Sequence, residues 1–358
     1  MSRSRRVFFA AAWVLFLASG SHADAQRSTI CPGGTIALDI SAGSKPFVHM
    51  RLGNHEGNFL IDTGATRTEV DAALYHAEPG SKIDLEGSSL PTLVGGTFYV
   101  VDFSSEKAFA PRGGFAGAIG TDVLSTRIVE FHYEAAHPYL ALSTKSCDAR
   151  TLEDAGFVAI PQQGYGASEA WRSWLASRSG PEAEIARRSN LPIIRARIGK
   201  VIAPFWLDSG FGGGTTRRLP IQINGAILSR LRDAGVALKQ AGSVVITDCE
   251  GHRATDPLWQ VDGKPIVFTT EEGAPLFEYA APTLQVRGRT PCGTIGNWPE
   301  PIGAVGTLFL PRWHTVVFDG PNKRVWVPKA VTPALRAARR NAHGASLLAC
   351  GENSVCED

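Results

Sequence analysis

The sequence predicts a mostly-β protein built as two homologous lobes, each a six-stranded-type β-barrel, with a cleft between them and few short helices. Three observations predict it. Two apolar runs, Phe59-Leu60-Ile61 and Phe205-Trp206-Leu207, each deliver an Asp into a turn of one hydroxyl residue and one Gly, Asp62-Thr63-Gly64 and Asp208-Ser209-Gly210. An apolar run that stops abruptly at such a turn reads as a buried strand. Further on, each half carries a second turn, Gly117-Ala118-Ile119-Gly120-Thr121 and Gly303-Ala304-Val305-Gly306-Thr307. Each of these leads into a closing pair of strand-like segments, Ile128 to Ser143 and Thr315 to Pro328. The same units in the same order mark a duplicated architecture.

In chain order, residues 1–25 read as a targeting segment. Arg3, Arg5 and Arg6 form a basic start, Val7 to Ala18 an apolar run, and Ala23-Asp24-Ala25 a small-x-small cleavage site. The apolar run is short for a membrane-spanning helix, so no stable membrane insertion is expected. Ser4-Arg5-Arg6-Val7-Phe8 also fits a twin-arginine signal, which leaves the export route open between the two. The expected location is periplasmic or secreted.

Residues 31–147 form the first lobe. Thr35 to Asp62 alternates as strands broken at Gly43-Ser44 and Gly53-Asn54, and Asp71 to Ala77 has room for one helical turn. Ile83 to Phe103 alternates around Gly87, Pro91 and Gly95-Gly96, the pattern of a hairpin. Residues 148–190 are an inter-lobe connection in which Phe157 to Gln163 crosses as a strand. Residues 191–328 form the second lobe, where Leu191 to Gly210 echoes the strands before Asp62. Gly225 to Leu238 has apolar residues at helical spacing. Ser243 to Trp298 holds a larger hairpin system, and residues 329–358 are a tail with a basic helical stretch.

Asp-Thr-Gly or Asp-Ser-Gly alone is an ordinary turn or cap tripeptide. Two of them, each followed by a Gly-apolar-Gly turn, are a specific set. On these motifs the chain resembles the aspartic peptidases of the pepsin and retropepsin group, with both lobes in one chain, over roughly residues 35–328. The resemblance implies a catalytic dyad of Asp62 and Asp208, supported by Thr63, Gly64, Ser209 and Gly210. It implies that Ile119-Gly120 and Val305-Gly306 pack beneath the dyad. Ala65 after the first Gly, and the spacing of about 55 residues to Gly117, give the first lobe a retropepsin character. In that family a hairpin called the flap covers the dyad, and Gly87, Gly95, Gly96 and Tyr99 are the candidates for it. Tyr99 fits a core-facing strand aromatic as well.

Composition narrows the partners. The formal charge is +2, but residues 1–25 hold three of the 36 basic and one of the 34 acidic side chains, so the remainder is close to neutral. Nothing in that balance calls for nucleic acid. A hydrophobic content of 44% and 38 glycines suit a large β-rich chain with two cores. All six cysteines lie beyond the targeting segment, and an even count in an oxidising compartment implies disulfides. Cys31–Cys147 brackets the first lobe and is the favoured pair, with Cys249–Cys292 and Cys350–Cys356 following. No Cys-x-x-Cys or closely spaced His set appears, so no metal site and no cofactor are expected. His49, His55 and His76 read as scattered surface or core residues.

The expected function is that of an exported aspartic endopeptidase acting on protein or peptide substrate as a monomer. The competing reading is a silent peptidase-like fold used for binding or scaffolding, to which the unusual Phe211-Gly-Gly-Gly after the second site lends some weight. A serine hydrolase lacks its Gly-x-Ser-x-Gly turn at both Ser168 and Ser209. Pepsin-like enzymes commonly place a Ser or Thr after the Asp-x-Gly turn, and such a hydroxyl stabilises the ionised Asp. Ala65 and Phe211 offer none, so a mildly acidic optimum, on the order of pH 4–6, is expected.

Overall fold

Strands that alternate apolar and polar residues supply most of the chain's ordered elements. A computed structural model describes residues 29–42, 45–104, 110–133, 137–162, 191–211, 221–247, 253–269, 275–279, 282–289, 295–298, 300–306 and 310–329. The targeting segment, Cys249, Cys292, Cys350, Cys356, Ser168, the glycines after Phe211, the rest of the inter-lobe connection and nearly all of the tail lie outside them.

The chain opens with β1 (Gly34–Ala37) and continues through β2 (Phe47–Leu52), β3 (His55–Ile61) and β4 (Glu69–Asp71). A single helical turn, α1 (Ala72–Tyr75), leads to β5 (Lys82–Glu86), β6 (Gly95–Val101) and β7 (Gly117–Ile119). Then come α2 (Thr121–Leu124), β8 (Ile128–His132), β9 (Tyr139–Ser143), α3 (Ala149–Asp154) and β10 (Phe157–Pro161). The second half runs β11 (Ile193–Ile198), β12 (Val201–Leu207), β13 (Ile221–Ile223), α4 (Gly225–Asp233), β14 (Leu238–Thr247) and β15 (Arg253–Val261). It closes with β16 (Ile266–Thr269), β17 (Pro275–Tyr279), β18 (Thr283–Val286), β19 (Gly303–Val305), β20 (Thr315–Asp319) and β21 (Arg324–Pro328).

These strands make three sheets. One half-chain forms a six-stranded sheet in the order β2-β3-β7-β4-β6-β5, and the other a nine-stranded sheet, β14-β15-β18-β13-β19-β12-β11-β16-β17. The third sheet, β1-β9-β8-β20-β21-β10, draws strands from both ends of the chain. The segment expected to cross between lobes is β10, which pairs with β21 from Phe157 opposite Pro328 to Pro161 opposite Arg324.

Burial follows the sequence pattern. In β2 the side chains of Phe47, Val48, Met50 and Leu52 are buried while His49 and Arg51 face out, the period of a sheet with one wet face. All five residues of β8 and of β20 are buried, as befits central strands covered on both faces. Phe59 and Ile61 before the first Asp, and Phe205 and Leu207 before the second, have no exposed surface. Truncating Phe59 to Ala would cost about 3–5 kcal/mol on the scale of buried aromatics.

The helices are short because their caps stop them. Asp71 accepts from Leu74 N–H at the start of α1, and His76 ends it in a left-handed conformation, φ 52°. Asn224 caps α4 through Ile227 N–H in the same way, and the helical spacing expected as far as Leu238 ends at Asp233, where Leu238 begins β14. Cys31 and Cys147 form the expected disulfide, with Cα atoms 5.4 Å apart. Among the described residues no helix is long and apolar enough to cross a membrane.

Candidate active site

Both Asp residues leave the ends of parallel strand pairs. β3 lies parallel to β7, with Ile61 opposite Ile119, and β12 lies parallel to β19, with Leu207 opposite Val305. Asp62 N–H donates to the Ile119 carbonyl and Asp208 N–H to the Val305 carbonyl, each at 2.9 Å. The Gly-apolar-Gly turns thus hold the start of each Asp loop.

Each loop then folds around its own carboxylate. Asp62 Oδ1 accepts from Gly64 N–H at 2.7 Å and Ala65 N–H at 3.2 Å. Asp208 Oδ1 accepts from Gly210 N–H at 2.9 Å and Phe211 N–H at 2.8 Å. The two carboxyl groups approach each other across the halves, closely enough for Asp208 to feel the Asp62 charge. Neither Gly64 nor Gly210 adopts a positive φ. Their lack of a Cβ serves a different end. A Cβ on Gly64 would collide with the Asp208 carboxylate, and one on Gly210 with that of Asp62. Each glycine leaves room for the other half's Asp, which lies about 146 residues away.

Thr63 and Ser209 clamp the loops together. Thr63 Oγ1 donates to the Leu207 carbonyl at 2.7 Å and accepts from Ser209 N–H at 3.0 Å. Ser209 Oγ donates to the Ile61 carbonyl at 2.6 Å and accepts from Thr63 N–H at 2.8 Å. Both hydroxyl residues are buried, at 2% and 0% exposure, so all four bonds are made away from water. Of the supporting residues expected from the sequence, Gly64 and Gly210 donate N–H to the two Asp carboxylates, while Thr63 and Ser209 bond each other and the strand carbonyls before the Asp residues.

Burial dominates the electrostatics. The Asp62 carboxyl is pushed above its ordinary range by desolvation, against the opposing pull of the Gly64 and Ala65 N–H groups. Asp208 is pushed well above it, by desolvation first and then by the Asp62 charge. The charge of Lys45 draws both downward by a smaller amount. Such a pair retains one proton between two carboxylates over a wide pH interval.

The first-half hairpin departs from the expected cover. Gly53 N–H donates to the Gly87 carbonyl and Gly87 N–H to the Val94 carbonyl, each at 2.8 Å. Ser88 bridges to Leu52, and Leu90 and Leu93 are buried. The end of the hairpin carrying Gly87, Gly95 and Gly96 is therefore closed onto the β2–β3 turn, at the opposite end of β3 from Asp62. Local alternation predicted the hairpin but not this closure, which depends on the pairing of distant strands. Tyr99 sits in β6, its ring beneath Arg67 at 4.4 Å and near Lys82 at 4.8 Å.

Other neighbours of the dyad had no motif to announce them. Trp206 Nε1 donates to the Thr63 carbonyl at 3.3 Å, a further bond between the two Asp-bearing segments. Glu69, paired with Arg67 at 2.6 Å, is raised by burial and feels the Asp62 charge. Thr68 donates through N–H and Oγ1 to Asp122 and accepts from Gly120 N–H, tying the first Asp loop to its Gly-rich turn. Among the described residues no cluster of His, Cys, Asp and Glu is arranged to hold a metal ion.

No protein-family model and no curated protein matches this chain. Among solved structures it is similar to conglutin gamma, a basic 7S globulin from lupine seeds. That likeness has 8% identity and a TM-score of 0.42, over 83% of this chain and 95% of that one.

Proposed function

We propose that the protein is an exported aspartic endopeptidase, built from two duplicated lobes, that hydrolyses peptide bonds with a water activated between Asp62 and Asp208. The observation that carries this reading is the mutual approach of two half-buried carboxyl groups, each cradled by two backbone N–H groups of its own loop. With both pKa values raised and coupled, one carboxyl holds a proton while its partner is ionised. The ionised partner takes a proton from a water between them as that water attacks the scissile carbonyl carbon. The protonated partner donates to the carbonyl oxygen as it gains charge. Collapse of the tetrahedral intermediate expels the amine, which leaves with a proton returned by the dyad. The buried disulfide and the basic-apolar start of the chain support the exported half of the proposal.

The test is Asp62→Asn and Asp208→Asn, assayed on a denatured protein between pH 3 and 7, with and without a statin-type peptide inhibitor. Each variant is expected to lose at least about 10²-fold in kcat, the scale of general acid–base catalysis, while keeping its circular dichroism spectrum. Wild-type activity that survives in either variant would remove the dyad from the mechanism. A wild type that is inactive throughout but binds the peptide would favour the silent binding fold instead.

A further inference from the structure

The two Asp loops are entered by strand pairs in the same register. In the first half β2 runs beside β3 with Phe47 opposite Leu60, and in the second β11 runs beside β12 with Ile193 opposite Trp206. The next position is a proline in both. The Pro46 carbonyl accepts from Ile61 N–H and the Pro192 carbonyl from Leu207 N–H, each at 2.9 Å. Proline has no N–H to return, so each pair closes on a single bond at that position. Every one of these residues is displaced from its counterpart by 146 positions, the separation of Thr63 and Ser209. Up to this point the halves match.

One step further they part. The same register sets Lys45 against Asp62 and Leu191 against Asp208. Leu191 has no exposed surface and belongs to an apolar cluster with Ile193, Ile302 and Ala304. The matching corner of the first half holds Phe47, Leu60 and Ala118, and the place of the leucine is taken by Lys45, which is half-buried. A lysine stem can lie along apolar surface, but its ammonium is stable only in water or near opposite charge.

The charge of Lys45 acts on both carboxyl groups, and not equally. At Asp62 it weighs more than the Ala65 hydrogen bond, whereas at Asp208 it weighs less than either backbone hydrogen bond. The other charged groups around the dyad, among the described residues, are Glu69, which feels the Asp62 charge, and Arg67, paired with Glu69 at 2.6 Å. Asp122 lies beyond them and acts on Glu69. Arg67 and Glu69 are of opposite sign and in contact, so their fields largely cancel at a distance.

We infer that Lys45 makes the two halves of the dyad inequivalent: placed against Asp62 where the second half has Leu191, its ammonium holds Asp62 as the ionised partner and leaves the shared proton on Asp208. The inference rests on the peptidase reading and deepens it by assigning the two roles. Asp62 takes the proton from the attacking water, and Asp208 gives its own proton to the carbonyl oxygen. Lys45 acts through Asp62 and is a positioning residue for that proton. The order agrees with Asp208 being raised well above its ordinary range, in part by the charge of Asp62.

The test titrates one carboxyl at a time in the full chain, by nuclear magnetic resonance of aspartate labelled at the carboxyl carbon. Asp208→Asn leaves Asp62 as the dyad's one acid, and Asp62→Asn leaves Asp208. Adding Lys45→Met is expected to raise the Asp62 midpoint by at least about 0.5 pH unit, somewhat under the effect of a charge in direct contact. The Asp208 midpoint is expected to rise by less than about half as much, because Coulomb interaction falls with distance. Lys45→Arg keeps the charge and is expected to hold both midpoints. Lys45→Gln serves in place of Met if the apolar side chain disturbs the strand end. A shift at Asp208 equal to or larger than that at Asp62 would overturn the assignment, as would no shift at either. With both Asp residues present, Lys45→Met should move the acid limb of the rate profile to higher pH, and Lys45→Arg should restore it. The titration needs no turnover. Unequal shifts in a chain that hydrolyses nothing would keep the role of Lys45 and remove the peptidase. Equal shifts in an active enzyme would remove that role and leave the dyad standing.

Discussion

Asp62 and Asp208 each sit between burial, which favours the neutral acid, and two backbone N–H groups, which favour the carboxylate. Burial wins at both, so a small added donor should be visible in the pH profile. Ala65→Ser places a hydroxyl next to the first loop, lowers the dyad's pKa values and should move the acid limb of the rate profile to lower pH. No acid-ward movement would mean that another group sets those values. The same raised pKa values carry a stability consequence with a definite sign. The folded dyad keeps protons that the unfolded chain has already released above the ordinary Asp value of 3.8. The unfolded state binds fewer protons over that interval, so this contribution is complete below about pH 3.8 and is lost as pH rises through the folded pKa. Asp208→Asn, which cannot ionise, should therefore gain in denaturant midpoint relative to wild type at pH 7 and show less of that gain at pH 3.5. Equal differences at the two pH values would contradict the sign.

At the scale of elements, the strand ends are held by side chains from the opposite half as well as by their own neighbours. Thr63→Val keeps the shape of the side chain but leaves the Leu207 carbonyl and Ser209 N–H buried without their partner. At roughly 1–3 kcal/mol for each orphaned group, the variant should lose about 2–6 kcal/mol in chemical denaturation. Ser209→Ala orphans the Ile61 carbonyl and Thr63 N–H in the same cluster. The double variant should then cost less than the two single changes together, since neighbours in one network do not add. Strict additivity would show that the four bonds act independently. The glycines beside them work at the same scale. Gly64 and Gly210 are needed for the close approach of the two Asp loops and not for an unusual backbone angle.

For the whole molecule, the shared sheet and the disulfide fasten the first and last described strands to one platform. Ile30 and Cys31 N–H donate to Glu130 of β8, and Cys31 closes a bridge across 116 residues to Cys147. A closed loop of that length restrains the unfolded chain by about 4–5 kcal/mol in the entropy model, and measured losses run from about 2 to 5. Cys31→Ala with Cys147→Ala should lower unfolding free energy within that range, read from denaturant midpoints without reductant. A free thiol at Cys31 or Cys147 in the unreduced wild type would show that the bridge is not formed in solution.

Much of this protein was determined by local sequence. Strand alternation in β2 and β11, the abrupt Asp turns, the paired Gly-apolar-Gly segments and the cap at Asp71 are short-range patterns, and each placed its element. The pairing of Cys31 with Cys147 followed from their bracketing of one unit. The tertiary structure alone decided three things. It brought Gly64 against Asp208 and Gly210 against Asp62, a contact between residues that no local period relates. It closed the hairpin after Ile83 onto the β2–β3 turn, although its alternation would serve equally well for a free cover. It set Lys45 against Asp62 and Leu191 against Asp208, because the register of β2 on β3 and of β11 on β12 decides which residues meet at the strand ends. Periodicity reports which face of a strand is apolar, while the strand it pairs with, and the edge it leaves open, are set by contacts distant in the chain.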